Sequence, residues 1–456
     1  MDTLPAKSKI KIDINNYIFE KQAFIKLLGL DTLKKVSAVQ SEVPALKPPP
    51  AVTGPKQLNY LVEFSMNQLV TQLDFFFLQY TYQPFTGGNS PIWLNPGFSI
   101  LLKVGATDLM EDYRIVGGMR PSLTFTNNEY LLSFSNMKRR LDHEFTFHRQ
   151  VLENTTNSPI YANIKTNTYE IFYNAKYPFN RVRAVKFTSL LRNDRTAYLS
   201  QEPVSLKQPN DLAFWASLKG EMIYDDTRNL GLNLLKGTRY KVFAEYFQQI
   251  SPISQTLYVV GLDFRHYVKV HRSAIWATRF AASTSFGNSQ LIYYLGGVDY
   301  WLAPDFNYSV PINTGANYAY QALATNMRGF NQNIRNGNTF ALINTELRLP
   351  VFRYFINRPI KSDFINNFQV VGFGDVGSAW TGSNPYSKDN SLYTKVITKY
   401  PITVTIDNLI EPVVAGYGFG LRSRLLGYFL RADWAWGVED GRRGKSIFYF
   451  SMGLDF

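Results

Sequence analysis

The stretch YFLRADWAWGVEDGRRGKSIFYFSMGLDF, residues 428–456, decides the fold. Tyr428, Leu430, Ala432, Trp434 and Trp436 share one parity and Arg431 and Asp433 the other, so an extended chain here has one apolar and one charged face. Past Gly441 and Gly444 the pattern resumes. Phe448, Phe450, Met452, Leu454 and Phe456 fall on a single face, and the sequence ends on that last aromatic.

The same period of two recurs upstream. Ala341, Ile343, Thr345, Leu347 and Leu349 oppose Asn344, Glu346 and Arg348; Tyr240, Val242, Ala244 and Tyr246 oppose Arg239, Lys241 and Glu245. Tyr258, Val260, Leu262 and Phe264 oppose Gly261, Asp263 and Arg265, and Trp215, Ser217, Lys219 and Glu221 oppose Phe214, Ala216, Leu218, Gly220 and Met222. Eleven such segments lie between residues 57 and 287 and five between 339 and 456, the first at 57–66 and the thirteenth at 367–379. Sixteen antiparallel strands leave about 25 residues per strand and connection, a workable figure for a membrane barrel of even strand number. A soluble sandwich is the competing architecture, but its strands run to about 5 or 6 residues and these to about 10 to 14, with aromatics gathered at their ends.

Composition narrows the function. Charged residues make up 18% of the 456 residues and hydrophobic ones 45%, a balance that excludes disorder, coiled coil and collagen. The chain has no cysteine, which removes disulfide scaffolds, thiolate metal sites and thiol nucleophiles. Its 4 histidines, His143, His148, His266 and His271, form no metallohydrolase motif. A net charge of +13 arises from basic residues spread along the chain, with no block longer than Lys138-Arg139-Arg140, so nucleic acid is not an expected partner. No apolar run reaches the roughly 18 residues of a transmembrane helix; the densest, Leu73–Leu78, contains Asp74. Met1–Ile10 lacks the apolar core of a signal peptide.

Residues 1–42 read as an extension with a short strand at Lys9–Ile14 and one helix carrying Ala23, Phe24, Leu27, Leu28 and Leu33; residues 43–56, with Pro44, Pro48, Pro49, Pro50, Gly54 and Pro55, read as a stiff linker. The extension is too small to bury a core alone, and it is expected to be the tail of an upstream domain or a plug. Residues 57–456 form the barrel.

Between the eleventh and twelfth strands, residues 288–338 make a connection far longer than a hairpin, rich in Tyr, Asn and Gly, that includes Met327-Arg328-Gly329-Phe330. This tetrapeptide resembles the V/I-R-G-[FY] tip of the sixth loop in the BamA/TamA superfamily of outer-membrane assembly and translocation barrels, the bacterial surface antigen family. Phe373-Gly374-Asp375-Val376-Gly377 resembles that family's F-x-D-x-G, and Glu346 lies where the family often carries a lumenal acid. The split of eleven strands and five around the loop agrees, and Ser446–Phe456 resembles the aromatic-ending signal by which such barrels are themselves inserted. The likeness covers residues 57–456.

The resemblance implies that loop 288–338 folds into the lumen, that Arg328 pairs there with Asp375 and Glu346, and that Gly329, Phe330, Phe373 and Gly377 complete the lock. Phe373, Asp375 and Gly377 share a parity and so can face the lumen together. It further implies an integral protein of a Gram-negative outer membrane, with membrane lipids, client outer-membrane or exported proteins and periplasmic or lipoprotein subunits as partners. No catalysis and no cofactor are implied. Two features depart from the family's insertases. The first 56 residues cannot hold a periplasmic POTRA domain, and Leu101–Arg120 resembles barrels that follow TolB-like propellers in Bacteroidota, in which case Met1 is internal to a longer chain. A passive pore, a purely structural barrel and an outer-membrane hydrolase are the alternatives; a hydrolase needs a Ser–His pair that the sequence does not display. Arg328→Ala is expected to damage the barrel far more than Arg422→Ala.

Overall fold

The computed structural model describes residues 62–74, 76–85, 99–122, 127–156, 162–199, 209–313, 315–324, 326–356, 358–387, 390, 392, 394–399, 402–407 and 410–456. The extension expected at 1–42 and the linker at 43–56 lie outside these residues.

Among the described residues the largest sheet has 17 strands: one short strand, Arg228–Gly231, and sixteen long ones. The long strands are β1 (Phe64–Asp74), β2 (Ser99–Asp108), β3 (Tyr113–Pro121), β4 (Asn128–Asn136), β5 (Asp142–Thr156), β6 (Ala162–Pro178), β7 (Arg183–Leu199) and β8 (Asp211–Asp225). They continue as β9 (Leu234–Ser251), β10 (Gln255–His271), β11 (Ala274–Gly287), β12 (Thr339–Leu349), β13 (Gln369–Trp380), β14 (Val414–Leu425), β15 (Tyr428–Glu439) and β16 (Arg442–Met452). Each pairs antiparallel with the next from β1 to β16. The connections alternate. Turns such as Asp440–Gly441, with φ of 50° and 71°, suit the right-handed twist of the flanking strands, whereas 288–338 and 381–413 are long.

The outermost strands differ from the sequence reading: the last, expected at 446–456, lies at Arg442–Met452. The first strand, expected at 57–66, lies at Phe64–Asp74; residues 57–61 are outside the described set. A bulge between Met66 and Gln68 shifts the register against β2, so the apolar face passes from the parity of Phe64 and Met66 to that of Leu69 and Leu73. A bulge inserts one residue and breaks the period of two, which erases the alternation on which the reading relied. The strand hairpin Thr394–Lys399/Ile402–Asp407 and the helices α1 (Val351–Phe355) and α2 (Asp363–Asn366) lie in connections where only loops were expected.

The outer face is apolar and aromatic, as a hydrocarbon contact requires: Tyr417 stacks on Trp436 at 5.9 Å, Phe419 on Trp434 at 5.6 Å, and Trp434 tilts against Phe448 at 4.9 Å. The core is the lumen. Connection 288–338 folds into it as a small sheet, in which Gln290–Leu295 pairs parallel with Tyr318–Ala324 and antiparallel with Arg335–Gly337, and Gln83–Pro84 pairs with Tyr318–Ala324. Tyr293 and Tyr320 pack on Phe172, Leu190, Trp215 and Phe247 of β6–β9; Met327, Phe330 and Ile334 pack on Leu342, Ala379 and Val414 of β12–β14. Val298 and Trp301 meet Phe373, Ala435 and Tyr449 of β13, β15 and β16. A flat sheet cannot offer so many distant strands to opposite sides of one loop, so the sheet is curled around it.

Candidate functional site: the loop tip and the strand seam

Arg328 is the centre of the loop's attachment, with its side chain 2% exposed. Its Nε donates to Asp375 Oδ2 at 2.6 Å, Nη2 to Asp375 Oδ1 at 2.7 Å and Nη1 to Glu346 Oε1 at 2.6 Å. The backbone N–H of Arg328 donates to Asp375 Oδ2 as well, at 3.1 Å. The guanidinium lies 3.7 Å from the Phe373 ring centroid, a close cation–π contact. Burial opposes the Arg328 charge, but the carboxylates of Asp375 and Glu346 outweigh it and hold the group protonated well above the ordinary arginine range. Bidentate pairing to one carboxylate and a single bond to a second use the planar fork as a lysine cannot.

Arg348 balances the charge. It donates to Glu346 Oε2 at 2.9 Å, so two guanidiniums face two carboxylates, and it reaches the carbonyls of Asn233 and Phe456, each at 3.1 Å. Asn344 donates both to Asp375 Oδ1 at 2.7 Å and to the Asn326 carbonyl at 2.6 Å.

Glycines let the tip approach the wall. Gly329, at φ +97°, donates its N–H to Tyr449 Oη at 2.8 Å, and that hydroxyl donates to the Phe330 carbonyl at 2.8 Å. A Cβ on Gly416 would overlap the Arg328 carbonyl, and one on Gly437 would lie 2.5 Å from the Phe330 ring. Gly377 is buried on β13 with Phe373 and Asp375, where a Cβ would meet Leu342 at 2.9 Å. The structure therefore brings together Arg328, Gly329, Phe330, Glu346, Phe373 and Asp375, with Gly377 on the same wall face.

The C-terminal residues divide. Phe448 and Phe450 are exposed on the outer face and Met452 ends β16, whereas Phe456 does not continue that face. The chain turns at Gly453, φ +121°, leaving Leu454 exposed and burying Phe456 against Leu234, Tyr267, Ile275 and Ala277. The expectation of one shared face for all five thus fails at Phe456, because a strand that ends at Met452 imposes no parity beyond it. Asp455, in this turned tail, bonds Arg422 at 3.0 Å and Arg431 at 3.1 Å. Burial works against its charge, and Arg422, Arg431 and Arg348 more than offset that, holding the carboxyl well below the usual range.

Sequence reasoning missed two networks. Arg422 pairs with Asp433 at 2.7 Å and with Asp455, so it is as buried and as bonded as Arg328, and the contrast expected between the two arginines loses its basis. Along the opposite wall runs Arg120–Glu129–His148–Glu170–Arg192–Asp194, with both His148 nitrogens 2.7 Å from carboxylate oxygens. Tyr320 of the inner sheet donates to Asp194 at 3.3 Å, and the Gln79 N–H donates to Glu129 at 3.1 Å. Lumenal parity identifies these residues singly; apart from Arg192 and Asp194, which share β7, their partners sit on other strands. The remaining histidines pair with hydroxyls: His143 with Tyr173, His266 with Thr238 and His271 with Tyr354.

The seam between the first and last strands is the second feature. The described registers include none between β1 and β16. Instead the Leu302 N–H donates to the Phe450 carbonyl at 3.0 Å, and Trp301 bridges Ser451. That carbonyl points away from β15, so a segment of the inner loop occupies the free edge of the last strand near its end. Tyr300 packs edge-on against Phe76, just beyond β1, at 4.5 Å.

These features agree with the comparisons to known proteins. Among curated protein sequences nothing matches. Among solved structures the chain is similar to BamA from Haemophilus ducreyi lacking POTRA domains 1–3, at 13% identity and a TM-score of 0.52, over 86% of this chain and 75% of that one. It is also similar to CdiB from Acinetobacter baumannii, at 14% identity and a TM-score of 0.44, over 79% of this chain and 57% of that one, and to CdiB from Escherichia coli, at 11% and 0.44, over 85% and 67%. The first shares the barrel fold. The family model for the Omp85 superfamily domain matches residues 91–456, and with a loop tip held in a strand-walled lumen the chain belongs to the Omp85 superfamily, as an integral barrel of the outer membrane that serves protein assembly or translocation.

Proposed function

We propose that this barrel assists the insertion or export of client proteins by offering the edge of β1 to an incoming strand. The observation that carries this reading is exposure: β1 is open on both faces at Phe64, Ser65, Met66 and Asn67, and at Leu69, Thr71, Gln72 and Leu73. A strand paired on one side only, with free N–H and C=O groups on the other, is a template for β-augmentation. The upper part of β16, Arg442–Ser446, is exposed on both faces too. The driving free energy is the client's own, gained as it closes its hydrogen bonds and buries apolar surface in lipid.

In this reading the Arg328 cluster, with Gly329, Phe330, Glu346, Phe373, Asp375 and Gly377, holds the loop against the wall beside the seam. Phe448, Phe450, Met452 and Leu454 form the outward part of the chain's own insertion signal. Periplasmic or lipoprotein subunits would meet the turn end, and an upstream domain would precede the barrel. Packing of the lumen by the inner loop favours this role over a passive pore. The test is conditional depletion followed by quantitation of folded outer-membrane barrels from heat-modifiable gel mobility and mass spectrometry. Loss of many barrels supports a general insertase and loss of one or a few a dedicated partner; unchanged levels of every folded or exported protein refute the proposal.

A further inference from the structure

The last hairpin carries a second feature that the client reading does not use. Between Trp436 and Val438 of β15 the register against β16 shifts by a bulge: Trp436 faces Ser446 and Val438 faces Arg443. The extra residue re-aims a side chain. Arg443 thereby joins the parity of the lipid-facing Trp436, and its guanidinium lies 4.8 Å from that ring. Arg442 and Lys445 line a cleft of about 760 Å³ between the hairpin and the loop tip, with Phe306, Tyr308, Phe330 and Ile447 among its other walls.

The charge lining the cleft is net positive. Its two carboxylates are engaged, Glu439 by Arg335 at 2.6 Å and Asp440 by the Glu411 N–H at 2.8 Å. Arg442, Arg443 and Lys445 are exposed, and none takes part in an ion pair among the described residues. Three cations thus crown a lipid-facing stack of Tyr417, Trp436, Phe419 and Trp434. They sit at the long-connection end of the barrel, which in outer-membrane barrels faces outward. Cations just above an aromatic belt match a phosphate just above acyl chains.

We propose that Arg442, Arg443 and Lys445 bind the phosphate-bearing headgroup of an anionic outer-leaflet lipid, with an acyl chain along the Trp434–Trp436 face and the headgroup reaching the cleft at Phe330. The site would seat a lipid against the open upper edge of β16. This holds whether or not the barrel handles client proteins, so depletion experiments and lipid binding fail separately.

The test uses the full chain, purified in neutral detergent, with lipid A as the probe and bound lipid counted by native mass spectrometry. Each cation near an anionic leaflet is worth about fivefold in affinity, so R442A/R443A/K445A is expected to bind roughly 100-fold more weakly. R139A/R140A, at the opposite end of the barrel, is expected to match the parent. Equal binding by the folded triple variant, an equal loss in R139A/R140A, or displacement of lipid A by inorganic phosphate would each overturn the lipid site. A salt titration of the unmodified chain supplies a reading independent of any variant's folding. Raising salt from about 0.05 to about 0.5 M should weaken binding severalfold, because exposed charges are screened, and a salt-independent affinity would overturn the proposal as well.

Discussion

The Tyr428 hydroxyl, at the foot of the last hairpin, donates to the Leu73 carbonyl near the end of the first strand over 2.7 Å. The two ends of a sheet of sixteen long strands are thereby brought side by side, and the inner loop lies between them with the Tyr300–Phe76 contact, the Leu302–Phe450 bond and the Trp301–Ser451 bridge. Among the described residues no ladder register joins β1 to β16, and this seam is where the barrel is expected to yield first.

A segment of the inner loop lies on the last strand at that seam. With no native cysteine to interfere, the pair Trp301→Cys/Ser451→Cys should form a disulfide at the bridge position and hold the loop on the last strand. The expected result is loss of client assembly under oxidising conditions and its return with reductant, read from heat-modifiable client bands. Full activity of the oxidised form would mean that the Trp301 segment need not leave.

Removing the Arg328 side chain leaves Asp375 buried without its cation, while Glu346 keeps Arg348, a change worth about 3–5 kcal/mol. Arg328→Ala should therefore lower the denaturant midpoint strongly. Arg422→Ala should do so to a similar degree, since it strands Asp433 and leaves Asp455 with Arg431 alone, while the exposed Lys269→Ala should stay within about 0.5 kcal/mol. Unfolding in detergent, followed by gel mobility, separates the three.

His148→Leu tests the far wall. Glu129 and Glu170 would lose the group that bridges them but keep Arg120 and Arg192, with an expected cost of about 1–3 kcal/mol. Because Glu129 also holds the Gln79 N–H, proteolysis within residues 76–85 should rise in parallel. Unchanged protease resistance would separate the ladder from the anchoring of that segment.

Gly437→Ala places a methyl against the Phe330 ring and the Gly329 carbonyl. Overpacking of this kind costs about 1–3 kcal/mol and should displace the loop tip. Gly220→Ala, with nothing within 4 Å of the added carbon, should be close to neutral. Equal thermal midpoints for the two variants would show that the tip has room to move.

The amino-acid sequence by itself determined the strands and which residues face inward. Alternation of Arg431 and Asp433 with Trp434 and Trp436, or of Asn344, Glu346 and Arg348 with Ile343 and Leu347, follows from a side-chain period of two, a local property that survives without knowledge of the partners. The motif around Arg328 and that around Asp375 were legible for the same reason, being short and contiguous. Three things were decided by the tertiary structure: the parity change at Met66/Gln68, the inward turn of Phe456, and the equivalence of Arg422 with Arg328. Each depends on what lies across a strand boundary or across the lumen, on a bulge opposite β2, on a cluster around Leu234 and Tyr267, and on Asp455 arriving from beyond the last strand. Periodicity sets where a side chain points, whereas the closing of the sheet around its own loop sets what it meets there.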